Sequence, residues 1–333
     1  MLLTGKKFND KYSYIELYKV LKEDYTHNNF KYKDGLNIDT VPFNSNGNSR
    51  SDGIYFYELN KLGLWLNFGT YICKVTIPDD SSVYIEKDKF RIDKINLDLN
   101  NKVLIKDFYA WNNSIFCKIA IKQNGIALKY VEYQNNELCK LAVNQNGFTL
   151  KFVKEQTYEL CRLAVQQNGS ALQFVKDQNF ELCKLALQQN CHALYFVTEQ
   201  NDELCKLAIR KDGNTLKYVK VQNDELCKLA VRQNSYALEY VKEQTEEICK
   251  LAIQQNGNTL KFVKIQNDEL CKLAVQQNSL ALEFVKIQTD ELCKLAVQQN
   301  CLALQFVKNQ NDELCRLAVQ KKWYCFTFCS LTK

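Results

Sequence analysis

The chain has 333 residues, 46% of them hydrophobic and 25% charged, which fits a folded globular protein and excludes wholesale disorder. The 44 Lys and Arg outnumber 38 Asp and Glu by only +6, so composition demands neither a nucleic-acid nor a membrane partner. With 11 Gly and 2 Pro the chain is not collagen-like or linker-rich, and no apolar run approaches the ~18–20 residues that span a bilayer.

Residues 1–107 hold both prolines, Pro42 and Pro78, and show no repeat. The opening MLLTGKKFND lacks the apolar stretch and cleavage site of a signal peptide. Tyr14–Tyr25 reads as an amphipathic helix, while Gly53–Tyr57, Tyr71–Ile77 and Ser82–Ile85 read as strands from their β-branched and aromatic content. The expectation is a small α+β domain that caps the remainder of the chain.

Residues 108–333 are organised by a period of 22. Ten cysteines mark it: Cys117, Cys139, Cys161, Cys183, Cys205, Cys227, Cys249, Cys271, Cys293 and Cys315. Leu precedes the cysteine in eight copies, with Phe116 and Ile248 the exceptions. Ala follows at plus three, Leu at plus eleven, Phe or Tyr at plus thirteen and Val at plus fourteen. The closing WYCFTFCSLTK keeps the register, with Cys325 in the Ala slot, Phe326 in the Leu slot, Phe328 in the aromatic slot and Cys329 in the Val slot.

Two short helices per copy suit this pattern. Asn or Thr stands four before every periodic cysteine, Asn113 through Asn311, where an N-cap belongs, and acidic residues usually follow at the positive helix end. Gly just after the first helix in five copies (Gly125, Gly147, Gly169, Gly213, Gly257) reads as a left-handed stop, and ALxFVK as a second helix of about two turns. Leu270, Cys271, Leu273, Ala274 and Val275 cover about 200° of the first helix, an arc that requires packing on several sides. A leucine-rich horseshoe competes, because Leu270, Leu273, Val275 and Asn278 spell its motif. It needs an apolar residue two after the Asn, and that slot is a polar mixture running from Ser170 and Asn214 to Leu280. The fold class expected is therefore mainly α, an αα-hairpin solenoid of about ten 22-residue repeats, residues 108–333, with the α+β domain 1–107 at its end.

The stretches DELCKLAVQQNSLALEFVK and EEICKLAIQQNGNTLKFVK resemble the helical repeats with motif E-V-V-x-A-A-V-x-Q-N-G-x-A-L-x-Y-A, abundant in giant-virus and some bacterial proteins. The resemblance covers about residues 108–329 and implies a right-handed helical stack with no catalytic residues. This chain carries Cys where that family often has Val. SDGIYFYELNKLGLWLNFGTYICKVTIPDDSSVYIEKDKFRIDKINL is similar to an N-terminal module of giant-virus repeat proteins, including ankyrin-repeat ones. The G-I-Y-F of Gly53–Phe56, followed by a helix and a V-x-I-P strand, is also similar to the G-x-Y-F segment of ADP-ribosyltransferases. Those enzymes use a His and usually a Glu. Here His27 is the local histidine and stands in THNNF, outside a strand motif, so the likeness implies an inactive module.

Function is expected from a surface and without chemistry. There is no C-x-x-C pair, the only histidines are His27 and His192, and no nucleophile–base–acid set recurs. Catalytic, cofactor and metal sites are all expected to be absent. Equivalent helices about 8–10 Å apart keep the periodic thiols beyond disulfide reach, so the cysteines read as core residues in a reducing compartment, the host cytoplasm if the protein is viral. One basic row follows each periodic cysteine, Lys118 through Arg316, and i,i+3 glutamates such as Glu269 before Lys272 are expected to neutralise it. A second row, Lys154, Lys176, Lys220, Lys242, Lys264, Lys286 and Lys308, is interrupted at Thr198 and lacks a fixed acidic partner. It is the candidate polyanion track, with sequence-independent nucleic-acid binding as the alternative function. The first reading remains a non-enzymatic scaffold for an unnamed protein partner, with no membrane and no nucleic acid expected and the oligomeric state open. The anchors are the aromatic and His residues that differ between copies: Phe148, Tyr158, Phe180, His192, Tyr195 and Tyr236. The recurrent Gln and Asn are expected to satisfy backbone groups in the turns.

Overall fold

In a computed structural model, which describes residues 1–27, 30–40, 53–321 and Thr327, the chain forms two compact units, Met1–Lys176 and Asp177–Lys333. The first begins with an antiparallel nine-stranded sheet. In chain order this region comprises β1 (Leu2–Thr4), helix α1 (Gly5–Tyr12), β2 (Leu17–Leu21), the hairpin β3 (Thr26–His27) and β4 (Phe30–Lys31), and β5 (Gly35–Ile38). Then come β6 (Ile54–Glu58), β7 (Tyr71–Thr76), β8 (Ser82–Ile85), β9 (Phe90–Ile92), β10 (Lys94–Leu97) and β11 (Val103–Leu104). The spatial order is β1-β8-β9-β6-β2-β7-β10-β5, with β11 on β7 and the hairpin β3–β4 separate. Phe8 of α1 packs edge-on to Phe56 and Phe90, with ring centres 5.8 and 5.0 Å away, and anchors a core that includes Ile54, Val75, Val83 and Ile95.

The three expected strands coincide with β6, β7 and β8 to within a residue. The helix expected over Tyr14–Tyr25 is not there. That segment holds β2, paired to β6 and β7, with all five residues of LYKVL buried. A strand covered on both faces has no alternation to read, and Lys19 at its centre breaks the apolar run into a false amphipathic pattern.

Beyond the sheet, a 3₁₀ segment, Leu59–Phe68, lies against the first repeat helix, α2 (Ser114–Gln123). A Cβ on Gly63 would stand 2.8 Å from the Ala120 Cα, and the Gln123 amide donates to the Asn60 carbonyl at 2.7 Å. From α2 to α11 (Asp312–Lys321), ten-residue helices alternate with six-residue 3₁₀ turns, the first being Gly125–Tyr130. Within each unit the helices of consecutive copies pack side by side. Each from α2 to Asp290–Gln299 contributes a buried Leu, Ile or Phe, Cys, Ala and a further aliphatic residue, as in Leu270, Cys271, Ala274 and Val275. Leu270, Leu273 and Val275 stand on a helix, which removes the horseshoe.

The second element is thus a 3₁₀ turn and not a two-turn α-helix. Its Leu and Val are three residues apart, and a three-residue turn brings both to the same side, where Leu128 and Val131 are buried. Bonds from Ala127 N to Asn124 O and from Val131 N to Leu128 O close it. The glycine before it is no left-handed stop: among the described residues, positive φ occurs only at Tyr25, Gly35 and Gly53. Gly147, Gly213 and Gly257 are small because the next copy passes close by. A Cβ on each would lie 2.5 Å from the carbonyl oxygen of Ala164, Ala230 and Ala274 respectively. Ser235, Ser279 and Cys301 fill the same slot with other small side chains.

The periodic cysteines from Cys117 to Cys293 are buried. Cys315 departs from the expectation and is disulfide-bonded, as is Cys301. Repeat spacing bars bonds only between equivalent positions of neighbouring copies. The expected register of Cys325, Phe326, Phe328 and Cys329, like Pro42, lies outside the described residues. Among the described residues no helix is long and apolar enough to cross a membrane.

Candidate interaction surface

The polar residues of each copy divide into those that hold the stack and those that face outward. Asn135 caps its helix by accepting from Leu138 N at 2.9 Å, and Thr245 does the same for Ile248 N. The Asn after a helix, or Asp212 in one copy, caps the following 3₁₀ turn, as Asn146 does for Phe148 N at 3.0 Å. The recurrent Gln joins two copies. Gln222 donates to Leu216 O in its own copy and to Tyr240 O in the next, while its carbonyl accepts from Lys242 N at 2.9 Å. These amides are consumed by backbone groups, as the sequence suggested.

Both basic rows are organised across copies. The first pairs with the glutamate nineteen residues on: Lys140–Glu159 at 2.9 Å, Lys206–Glu225 at 2.7 Å, Lys228–Glu247 at 2.5 Å and Lys250–Glu269 at 2.7 Å. The expected i,i+3 partner is replaced by one in the next copy, because the stack brings that carboxylate within reach of an ammonium pointing along it. Asp224 and Glu246 add i,i+4 contacts to Lys228 and Lys250. The second row reaches backwards. Lys154 donates to Glu132 O, Lys176 to Lys154 O, Lys220 to Thr198 O, Lys242 to Lys220 O, Lys264 to Lys242 O, Lys286 to Lys264 O and Lys308 to Lys286 O. Among the described residues none of these lysines lies within ion-pair distance of a carboxylate.

The six anchor candidates occupy two register positions plus one outlier. Phe148, His192 and Tyr236 are equivalent, and each meets the aromatic of the next 3₁₀ turn edge-on: Phe174 at 5.8 Å, Tyr218 at 5.9 Å and Phe262 at 5.9 Å. Phe148 is half-buried; His192 and Tyr236 are exposed. Tyr195, 65% exposed, leans on Tyr218 from the same side. Tyr158 and Phe180 stand instead at the first residue of their helices, Phe180 half-buried beneath Lys184. The receiving aromatics, Phe174, Tyr218 and Phe262, read as packing residues from the repeat pattern. They remain half-buried, with Lys217 and Lys261 over Tyr218 and Phe262 at 4.8 and 4.7 Å. One junction is charged: His192 Nε2 stands 3.5 Å from Asp212, where the equivalent Asn234 and Asn278 donate to Asn214 and Asn258.

Burial pushes the Cys183 and Cys205 thiols up to about 11, so they are poor nucleophiles at neutral pH. In the sheet region, His27 lies on the short strand β3, contrary to expectation, with its ring 6.1 Å from Tyr55 of the G-I-Y-F segment. The chemically unusual group there is one the sequence disguised. Lys19, 2% exposed, donates to Tyr55 O at 2.7 Å and lies 4.4 Å from the Tyr32 ring centre. Burial lowers its pKa to about 7.

The repeats match the model of a domain of unknown function, DUF4116, over residues 135–178, 157–200, 201–244 and 245–288. An uncharacterized protein of Acanthamoeba polyphaga mimivirus is 30% identical over 115 residues, covering 33% of this chain and 83% of that protein. The chain belongs to the DUF4116 repeat family. Each DUF4116 match spans two copies of the 22-residue period and starts on a helix cap, Asn135, Thr157, Asn201 or Thr245. Two further proteins of the same virus, named for ankyrin repeats, are 29% identical over 132 residues and 35% identical over 66 residues. These cover 34% and 19% of this DUF4116 chain, which spans only 40% and 33% of the two relatives. No solved structure matches it.

Proposed function

We propose that this DUF4116 protein is a non-enzymatic scaffold whose copies stack as a solenoid and bind a protein partner along their 3₁₀ turns. One observation carries the reading. Residues that vary between copies, His192, Tyr195 and Tyr236, stay exposed while resting on aromatics that do not vary in kind, Tyr218 and Phe262. Such an arrangement holds a variable side chain rigid at small entropic cost, as a hot-spot anchor requires. The ankyrin-repeat names of two relatives, proteins built on a repeat class that presents extended binding surfaces, support it.

The test is affinity capture with the full chain and with His192→Ala, Tyr195→Ala and Tyr236→Ala combined. The triple variant keeps its helical circular dichroism and loses the captured partner. Retention of the same partner by the folded variant removes this face as the binding site. Phe148 and Phe180 are left out because both are half-buried, and truncating them would disturb packing.

A further inference from the structure

Among the described residues of the unit Asp177–Lys333, the most exposed large apolar ones are Val221, Ile265 and Ile287, at 82%, 86% and 82%. All three occupy one register position, directly after a lysine of the second basic row: Lys220, Lys264 and Lys286. Side chains of that size are normally tucked away, and three at one position of a regular stack form a shared edge. Lys242 and Lys308 continue the basic row, followed by Glu243 and Asn309.

Glu243 offsets part of the charge on this edge, but among the described residues no carboxylate lies within ion-pair distance of its lysines. Four carboxylates of the helices are engaged elsewhere: Asp224 at 2.8 Å from Lys228, Glu247 on Lys228, Glu246 and Glu269 on Lys250. The lysines of the edge bind carbonyl oxygens of the preceding copy, which fixes their position and leaves the positive charge in place. At Lys220, Lys264 and Lys286 the ammonium is thereby drawn back onto the backbone, while the next residue, Val221, Ile265 or Ile287, stands exposed.

We infer that this edge docks on an anionic lipid surface, with Val221, Ile265 and Ile287 entering the headgroup–acyl boundary and the lysines meeting anionic headgroups. Charge complementarity sets the sign of the partner. The order of the groups selects a leaflet: aliphatic carbon outermost and cation set behind it matches acyl chains beneath a charged layer. A nucleic acid presents phosphate first and has no place for exposed aliphatic tips. The contact is interfacial and independent of the partner-binding face proposed above.

The test is co-sedimentation of the full chain with phosphatidylcholine vesicles, with and without phosphatidylserine, over a range of salt. The protein pellets with the phosphatidylserine vesicles alone and is released by salt. Replacing Val221, Ile265 and Ile287 together by Asn abolishes pelleting. Lys242→Gln, Lys264→Gln and Lys286→Gln together weaken partitioning at least about tenfold. A charge-matched control, Lys206→Gln, Lys228→Gln and Lys250→Gln, stays within about twofold because those lysines are already paired. Circular dichroism verifies the fold of each variant. The inference fails if the wild type ignores anionic vesicles, or if the folded Asn variant pellets as well as the wild type. It fails equally if the lysines prove necessary only for binding heparin or single-stranded RNA, which makes the edge a polyanion site without a lipid role.

Discussion

Lysines in the sheet region and in the repeats solve the same problem in opposite settings. Lys19 donates to Tyr55 O inside the sheet region, under Tyr32 and sealed from water. Lys242 donates to Lys220 O on the surface, and its equivalents repeat the bond copy after copy. The first is a single costly placement in a fold built from distant strand pairings. The second is a cheap local contact whose value comes from recurrence. The sheet is therefore vulnerable at individual buried groups, whereas the repeats are vulnerable at junctions.

Junction packing should show the largest effect. Leu260 is fully buried, and Leu260→Ala should cost about 2–5 kcal/mol in urea denaturation, with the loss concentrated in the repeats. A uniform shift of every probe would erase the contrast between the regions.

Lys19→Met should act with the opposite sign, raising stability of the sheet region by about 1–4 kcal/mol at neutral pH by removing a buried charge. The lowered pKa also sets a pH signature. Between about 7 in the folded chain and 10.5 in the unfolded one, the unfolded form binds more protons, so stability rises across that window and is flat outside it. Tryptophan fluorescence of Trp65 and Trp111 follows this region, and the Met variant should lose the slope.

Gln222→Leu strips two carbonyls and the Lys242 N–H of their partner and should cost about 1–3 kcal/mol. Hydrogen exchange should rise at Lys242 in the next copy, a readout that separates a junction defect from a local one. Thr245→Ala removes one helix cap and should cost about 1 kcal/mol, confined to the exchange of Glu246–Gln255 amides. Equal spreading from both substitutions would show that Gln has no special role between copies.

The repeats were legible because every copy restates the same constraints: the Asn or Thr cap, the buried Cys and Ala, the aromatic and Val of the turn. Their helices and core positions follow from local periodicity alone. The type of the second turn did not, since six residues carry too little periodicity to separate 3₁₀ from α. The glycine's reason was equally hidden, because the crowding atom, the Ala164 carbonyl beside Gly147, belongs to another copy. Of the candidate surface, the variable aromatics were visible as departures from the repeat, whereas their receiving rings, being unvarying, were indistinguishable from core.

What this amino-acid sequence determined by itself is the repeat, its helix starts and the inward side of each helix, all of which depend on neighbours in the chain. Only tertiary structure decided that LYKVL is a central strand, that Lys140 pairs with Glu159, and that the second lysine row is tied to backbone with its charge unmatched. The physical reason is common to all three. An ion pair nineteen residues apart, or a strand buried on both faces, is set by what packs against it, and that information is not carried by the residues alongside.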